Sequence, residues 1–226
     1  MNRHSDGMTH HEDHGTSDVA DLFTQQTWDA RYAETERVWS GRPNPRLVEQ
    51  ITGVPPGRAL DVGAGEGADA VWLASQGWQV TALDVSEVAL ARTAAHAAEA
   101  GVGDRVTTLH HDLMSAAPLP PGFDLVSAQF MHPPAERFAE IHQRLGAAVR
   151  PGGLLLVVGH HPYDVTTGLR TGHGHPELLF TPDQVVAALP ATQWDVRVAD
   201  AATRSVDGPD GHAVATDTVV LAVRSR

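Results

Sequence analysis

The chain has 226 residues and no cysteine, which excludes disulfides, thiolate nucleophiles and cysteine-ligated metal sites. It also has no apolar run of about 18 residues, the length that a membrane-spanning helix requires. The N-terminus lacks the apolar core of a signal peptide. From these absences we expect a cytoplasmic protein that does not bind membranes.

Basic residues are few and scattered. Sixteen Lys and Arg stand against 28 Asp and Glu, which gives a net charge of −12, and no cluster of Lys or Arg is visible. Proteins that bind nucleic acid normally carry a basic stripe for phosphate contacts. The composition therefore favours a small-molecule substrate and argues against nucleic acid, while it indicates no particular oligomeric state.

The most informative feature that is present is a glycine loop between two acids. Asp61 directly precedes a turn that contains Gly63, Gly65 and Gly67, and Glu66 lies inside that turn. The glycines permit positive φ and let a ligand approach the backbone. Both acids would repel a pyrophosphate, the usual occupant of such a loop. They favour S-adenosylmethionine, whose sulfonium and ammonium would be attracted to Asp61; an ordinary glycine turn with solvated acids is the structural alternative.

Apolar runs follow the loop at the spacing of a doubly wound sheet. The run 80–84 ends in Asp84, 19 residues beyond Gly65, where a carboxylate can accept both ribose hydroxyls. Ser86 is predicted to cap the helix that follows, over about 86–100. Continuous apolar character, typical of strands buried on both faces, predicts further strands over 106–110, 123–129 and 154–158.

The C-terminal part predicts one helix and a hairpin. The helix covers 182–189, and strands six and seven cover 194–198 and 218–223. A turn at 208–211 separates these two strands. They should be antiparallel, because parallel strands need a longer crossover connection.

Five ordered motifs resemble those of the class I S-adenosylmethionine-dependent methyltransferases. They are LDVGAGEG at 60–67, LDVS at 83–86, HDL at 111–113, FDLV at 123–126, and 145–153 with its final Arg-Pro-Gly-Gly. Together they lie within about residues 55–160. The resemblance implies an α/β fold with a Rossmann-like seven-stranded sheet of order 3-2-1-4-5-7-6, strand seven antiparallel, and helices on both faces.

The same resemblance implies a set of cofactor contacts. The methionine moiety of S-adenosylmethionine would lie at Gly63 and Gly65, and the ribose at Asp84 beside Val85. Asp112 would accept from the adenine amino group, with Leu113 beside the ring. The sulfonium would lie near Gln129 and Phe130.

The N-terminal segment carries a second resemblance, to small-molecule methyltransferases of the tellurite-resistance and thiopurine groups. It rests on WDARY at 28–32 and VWSGRPN at 38–44. In this interpretation Trp28, Tyr32 and Trp39 form an aromatic lid that attracts the sulfonium by cation-π interaction. Alternatively, Trp28 and Tyr32, spaced i and i+4, are the apolar side of a helix that packs on the sheet.

Histidines recur where a doubly wound sheet binds ligands, beyond the carboxyl ends of its strands. His132 follows strand four, and His160 and His161 follow strand five. A neutral imidazole there can deprotonate an acceptor before methyl transfer, so we predict His160 and His161 first, and His132 third, as catalytic residues. Two alternatives stay open: a metal site built from His173, His175 and His160 or Asp164, and stiff His-Pro loops at 132, 161 and 175.

These expectations divide the chain into a histidine-rich, disordered tail (1–18) and a single methyltransferase domain (19–226). Within the domain, 19–54 is a cap and 159–180 a substrate lid. The expected function is methyl transfer from S-adenosylmethionine to a small acceptor by in-line attack, with oxygen, nitrogen, sulfur and metalloid acceptors all open. The alternative is a non-catalytic adenosylmethionine sensor, or a histidine-based metal-binding protein, on the same fold.

Overall fold

The protein is described by a computed structural model over residues 19–169, 175–208 and 211–226, with 207, 208, 211 and 212 described by their backbone alone. A seven-stranded sheet of order β3-β2-β1-β4-β5-β7-β6 forms its centre. The strands are β1 (Arg58–Val62), β2 (Gln79–Asp84), β3 (Val106–His110), β4 (Phe123–Gln129), β5 (Val149–His160), β6 (Trp194–Gly208) and β7 (Gly211–Arg224). Strands β1 to β5 are parallel, and β7 is antiparallel to β5 and β6. The predicted order and orientation are confirmed.

Helices cover both faces of the sheet. Those described are α1 (Gln25–Glu34), α2 (Pro45–Ile51), α3 (Ala68–Ser75), α4 (Glu87–Glu99), α5 (Phe138–Ala148), α6 (Tyr163–Thr166) and α7 (Pro182–Ala188). Leu47, Leu73 and Ala97 place α2, α3 and α4 in one buried cluster, and Ile141 and Val185 place α5 and α7 in the other. None of the described helices has the length and apolarity to span a membrane.

Local signals explain where the helices begin. The Ser86 side chain accepts from the backbone of Ala89 and caps α4 as predicted. Thr181 and Gln184 form a reciprocal capping box at the start of α7. These caps fix where α4 and α7 begin. They thereby hold the loops that precede these two helices.

The last three strands are longer than predicted. The apolar run 154–158 is the centre of a strand that begins at Val149, where it pairs with Phe123, and continues to His160. The β6–β7 ladder extends through polar residues to the pair Gly208 and Gly211. Apolar runs mark only the part of a strand that is buried, because pairing by backbone hydrogen bonds does not require apolar side chains. The histidine-rich tail and residues 209 and 210 of the predicted turn lie outside the described residues.

Candidate cofactor and acceptor site

The glycine loop joins β1 to α3 and uses left-handed backbone. Gly65 and Gly67 have φ of +55° and +82°, values that favour glycine. A Cβ at Gly65 would lie 2.9 Å from the Tyr32 hydroxyl and 3.3 Å from Trp39 Nε1, and one at Gly67 would lie 2.6 Å from Thr93. At these two positions the absence of a side chain makes room for protein groups that pack on the loop. The sequence argument considered only the approach of a ligand and did not predict this packing.

Two buried acceptors without partners lie at neighbouring strand ends. Asp61, on β1, is 2% exposed, and its parallel neighbour on β4 is Ser127, two residues before Gln129. Within the described residues, neither Asp61 Oδ2 nor Gln129 Oε1 has a hydrogen-bond partner. Because a buried acceptor is costly when unpaired, this corner is suited to a ligand that donates hydrogen bonds. The ammonium of S-adenosylmethionine has that chemistry.

The electrostatics of this corner favour a cation. Burial, together with the nearby carboxylates of Asp69 and Asp84, raises the pKa of Asp61 well above its ordinary value. Burial also raises the pKa of Asp69 to about 6 and raises that of Asp84, although backbone hydrogen bonds oppose the latter shift. A bound positive charge would relieve the repulsion among these three acids.

Asp84 ties the glycine loop to the end of β2. Its Oδ2 accepts from Gly65 N at 2.8 Å, and its Oδ1 accepts from Ser86 N at 2.9 Å. Each carboxylate oxygen has a further lone pair. The carboxylate is therefore oriented by the backbone, and the predicted contact with the ribose hydroxyls stays a prediction.

A cavity of about 340 Å³ lies beside β2 and β3, where the adenine is expected. The predicted Val85 and Asp112 line it, and Asp112 Oδ1 is held by Met114 N at 2.7 Å. Leu113 instead packs against the hydrophobic core. The outer wall comes from the cap, through residues that the sequence did not indicate: Ala20, Phe23, Thr24 and Gln25.

The three predicted lid aromatics lie together beside Gly65. Trp39 Nε1 donates to the Tyr32 hydroxyl at 2.9 Å, and the rings of Trp28 and Tyr32 are 5.9 Å apart. Burial raises the pKa of Tyr32 to about 12, so its hydroxyl stays protonated. The Arg31 guanidinium lies 5.2 Å from the ring centres of both tryptophans. Arg31 thus takes the cation-π position on both tryptophans, and a contact with the sulfonium stays a prediction.

Glu66 binds the cap. Its carboxylate accepts from Val38 N at 3.1 Å, from Trp39 N at 2.9 Å and from Arg92 Nη1 at 2.8 Å. Burial alone would raise its pKa, but these hydrogen bonds and the Arg92 charge hold that pKa below its ordinary value. The Glu66 charge is therefore paired within the protein. Of the two acids expected to repel a pyrophosphate, only Asp61 still supports that argument.

Two further acids anchor the cap. Asp29 on α1 accepts from Ser86 Oγ at 2.6 Å and from Val88 N at 3.2 Å, at the start of α4. Asp69 on α3 accepts from Asn44 N at 2.6 Å. Neither contact was predicted, because the partners are 57 and 25 residues away along the chain and no local pattern links them.

On the acceptor side, four rings form a row at the ends of β4 and β5. Ring centres are separated by 4.4 Å between Phe130 and His160, by 5.0 Å between His160 and His132, and by 5.5 Å between His132 and Phe180. His160 N donates to His132 Nε2 at 3.0 Å. Phe130 has φ of +54°, the one left-handed non-glycine residue in the described ranges, and such strain concentrates at functional sites.

The other histidines of the predicted lid have different surroundings. His161 Nδ1 accepts from Tyr163 N at 3.1 Å, and His175 Nδ1 lies 3.1 Å from Glu177. The buried Asp164 accepts from Thr216 N at 2.8 Å through Oδ1. No group of three potential metal ligands occurs among residues whose structure is described, and His173 lies outside them. The described residues therefore give the metal alternative no support.

Comparison with known proteins agrees with this geometry. Residues 59–153 match the profile of a family described as a methyltransferase domain. The ribosomal RNA small subunit methyltransferase C of Alcanivorax borkumensis is 31% identical over 128 residues, which cover 54% of this chain and 38% of that protein. The 27-O-demethylrifamycin SV methyltransferase of Amycolatopsis mediterranei is 32% identical over 145 residues, 62% of this chain and 53% of that protein. The chain thus spans about half the length of these relatives, or less.

A solved structure shows the same fold over most of the chain. It comes from work on the conversion of a disulfide bond into a thioacetal group during echinomycin biosynthesis, and it superposes with a TM-score of 0.71. The identity is 22%, and the alignment covers 89% of this chain and 93% of the other. Residues 59–153 thus match a methyltransferase domain, in a chain that has the fold of the class I S-adenosylmethionine-dependent methyltransferases.

Proposed function

We propose that this protein transfers the methyl group of S-adenosylmethionine to a small organic acceptor. The observation that carries the proposal is the pair of buried, unpartnered acceptors, Asp61 Oδ2 and Gln129 Oε1, beside the glycine loop. When bound, the cofactor supplies an electrophilic methyl group on a sulfonium. Every other task belongs to the protein: holding both reactants in line, excluding water and accepting a proton.

The cofactor half of the site is built for binding. Asp61 and Gln129 would accept from the ammonium, and Asp84 would accept from the ribose. The cavity lined by Val85 and Asp112 would hold the adenine. The cap closes over this half, because Glu66 binds the backbone of Val38 and Trp39.

On the acceptor side, we assign the base role to His160. Backbone amides donate to His132 Nε2 and to His161 Nδ1, which occupies the lone pair that a base needs on each of those nitrogens. His160 stacks between Phe130 and His132, so its ring is held in a defined orientation for proton transfer.

The relatives are divided between an organic acceptor and a nucleic acid. The rifamycin-type relative is named for a small natural product, whereas another relative acts on ribosomal RNA. The net charge of −12 favours the organic acceptor, since RNA binding depends on cationic contacts with phosphates.

Formation of S-adenosylhomocysteine tests the proposal. The protein is incubated with S-adenosylmethionine and a panel of phenols, alcohols, amines and thiols, and we expect product with at least one class. His160→Ala should abolish most of this turnover while leaving the affinity for S-adenosylhomocysteine unchanged in calorimetry. Tight binding of S-adenosylhomocysteine without turnover of any acceptor would indicate a sensor instead.

The assignment of Asp61 to the cofactor site has a separate test with a matched control. Asp61→Asn should weaken S-adenosylhomocysteine binding by about tenfold or more, because a charge-assisted hydrogen bond to the ammonium is lost. Asp104→Asn removes an equal charge from an exposed position remote from the loop and should have no effect. Equal affinities in the two variants would refute the assignment of Asp61.

A further inference from the structure

One face of α4 lies against the glycine loop. Arg92, Thr93 and His96 of this helix lie within about 100° of one another around its axis, and each contacts a different group of the loop. Thr93 Oγ1 donates to Gly65 O at 2.8 Å, and His96 Nδ1 lies 2.8 Å from Glu66 O. Arg92 Nη1 donates to the Glu66 carboxylate at 2.8 Å. Two consecutive carbonyls and one side chain of the loop are therefore bound by α4.

The His96 ring acts as a donor in this contact. Because a carbonyl oxygen only accepts, the ring nitrogen that faces Glu66 O carries a proton. That nitrogen keeps its proton in the neutral ring and in the charged ring alike. The contact between α4 and the Glu66 carbonyl is therefore a hydrogen bond whatever the charge of His96.

Both backbone polar groups of Gly65 are bound within the frame of α4. Its amide donates to Asp84 Oδ2, and the other oxygen of that carboxylate accepts from Ser86 N, at the N-cap of α4. Its carbonyl accepts from the buried Thr93. Glycine has the widest backbone freedom of any residue, so these two contacts determine where the Gly65 peptide lies.

The Thr93 side chain contacts the loop at a second position. Its Cγ2 methyl lies where a Cβ at Gly67 would come within 2.6 Å, and Gly67 is the N-cap of α3. The hydroxyl thus binds Gly65, while the methyl packs beside Gly67. Valine at position 93 would keep the bulk without the hydrogen bond, and serine would keep the hydrogen bond without the methyl.

We propose that Thr93 and His96 are positioning residues for the cofactor, which hold the glycine loop in the form that binds the methionine moiety of S-adenosylmethionine. The inference rests on the cofactor half of the proposed function and adds two residues of α4 to it. Both side chains act through the loop carbonyls. A buried carbonyl that loses its donor is costly, so without Thr93 the Gly65 peptide shifts towards another partner. Ligand binding must then restore the original geometry, which lowers the affinity.

The test compares two ligands, S-adenosylhomocysteine and adenosine, which lacks the methionine moiety. Their affinities are measured by calorimetry in Thr93→Val and Thr93→Ser. We expect Thr93→Val to bind S-adenosylhomocysteine about tenfold more weakly than wild type and adenosine no more than about threefold more weakly, because the lost hydrogen bond acts on the loop. Thr93→Ser keeps the donor and should restore the ratio of the two affinities to within about twofold of wild type. A general loss of stability would instead weaken both ligands alike.

A second pair of variants tests His96 by the same ratio. His96→Asn keeps a side-chain N–H at the position of Nδ1, whereas His96→Leu has no donor. We expect the asparagine variant to keep the ratio of the two affinities within about twofold of wild type and the leucine variant to reduce it severalfold. If Thr93→Val does not fold, this pair decides the question.

Thr52→Val is the matched control, because it removes the same kind of bond, from a threonine hydroxyl to a backbone carbonyl, at the exposed end of α2. It should leave both affinities unchanged. Wild-type affinities in Thr93→Val, or equal losses for the two ligands, would overturn the inference. Failure of the proposed function gives a different result: no methyl transfer to any acceptor, with the ratio of the two affinities and its dependence on Thr93 retained.

Discussion

One hydrogen bond determines which nitrogen of the neutral His132 imidazole carries the proton. Its Nε2 accepts the amide proton of His160, and since an amide nitrogen only donates, this ring nitrogen carries no proton. The neutral ring therefore has its proton on Nδ1. Protonation at Nε2 would break the contact with His160. The geometry assigns His132 to positioning His160, although the sequence placed both among the predicted bases.

Two variants of His132 separate positioning from base catalysis. His132→Gln offers an amide oxygen to the His160 amide and has no titratable ring, whereas His132→Leu offers no acceptor. We expect turnover of the glutamine variant within about threefold of wild type and a loss of about tenfold or more in the leucine variant, because a partly buried amide is left unpaired. The pH–rate profile of the glutamine variant should keep its wild-type midpoint. A glutamine variant as inactive as the leucine variant would restore His132 as a base.

Asp69 predicts how stability depends on pH. Its pKa is raised by burial from 3.8 to about 6, so the folded protein holds a proton that the unfolded chain releases. This contribution to stability is full below about pH 4 and is lost as pH rises through about 6. Asp69→Asn keeps an oxygen for Asn44 N and removes the buried charge. It should raise the free energy of unfolding at pH 7.5 by on the order of 1–3 kcal/mol and have little effect at pH 4.

Asp124 is the control, because its contribution to stability changes with pH in the opposite direction. Burial alone would raise its pKa, but hydrogen bonds from Arg58 N and the Arg150 side chain lower it. Its contribution is therefore present above about pH 4 and lost as pH falls through its lowered pKa. Asp124→Asn should reduce the melting temperature at pH 7.5. The same direction of change in both variants at that pH would contradict the assignment.

At the scale of elements, the cap is held by carboxylates of the domain body. Glu66 binds the backbone of Val38 and Trp39 and pairs with Arg92, which in turn donates to Tyr32 O and Thr35 O. These contacts join the glycine loop, α4 and the segment after α1. The cap and the cofactor loop are therefore expected to open and close together.

Glu66→Ala tests this coupling. The amides of Val38 and Trp39 lose their acceptor and Arg92 loses its partner, so the segment 36–40 should exchange amide hydrogen faster in hydrogen–deuterium exchange. Affinity for S-adenosylhomocysteine should fall by about tenfold, because buried charged hydrogen bonds contribute about 1.5–3 kcal/mol. Asp195→Ala removes an exposed ion pair with Arg197 on β6 and should change neither quantity. Unaltered exchange over 36–40 would show that the cap is held by its apolar contacts.

Elements were predictable to the extent that they carry a local pattern. The strand 106–110 was predicted with its observed ends, and α4 was predicted from its Ser86 cap. The outer part of the β6–β7 hairpin was not, because its residues lie beyond the buried part of the sheet and show no apolar run. The cap was predicted from its aromatic residues alone. Which groups the carboxylates bind could not be predicted, because no local pattern in the sequence links them to their partners.

At the scale of the whole molecule, the net charge predicts that the protein does not bind RNA. With a net charge of −12, association with RNA should be repulsive at long range. In fluorescence anisotropy with a labelled transfer RNA at about 50 mM salt, where cationic contacts contribute most, we expect no binding at micromolar protein concentrations. Salt-dependent binding in that range would instead indicate a nucleic-acid acceptor and would remove the basis for a small organic one.

The sequence by itself predicted the doubly wound class of sheet and the acids at its strand ends. A glycine turn after an acid, an acid at the end of the next strand and continuous apolar runs are local features, and their order along the chain specifies a doubly wound topology. The tertiary structure alone decided which groups meet across long separations: His132 with His160, Glu66 with Trp39, and Arg46 with Asp217, which are 28, 27 and 171 residues apart. Such pairs follow from how helices and the β6–β7 hairpin pack on the sheet, and they support one proposed base among the three histidines that the sequence had ranked as candidates.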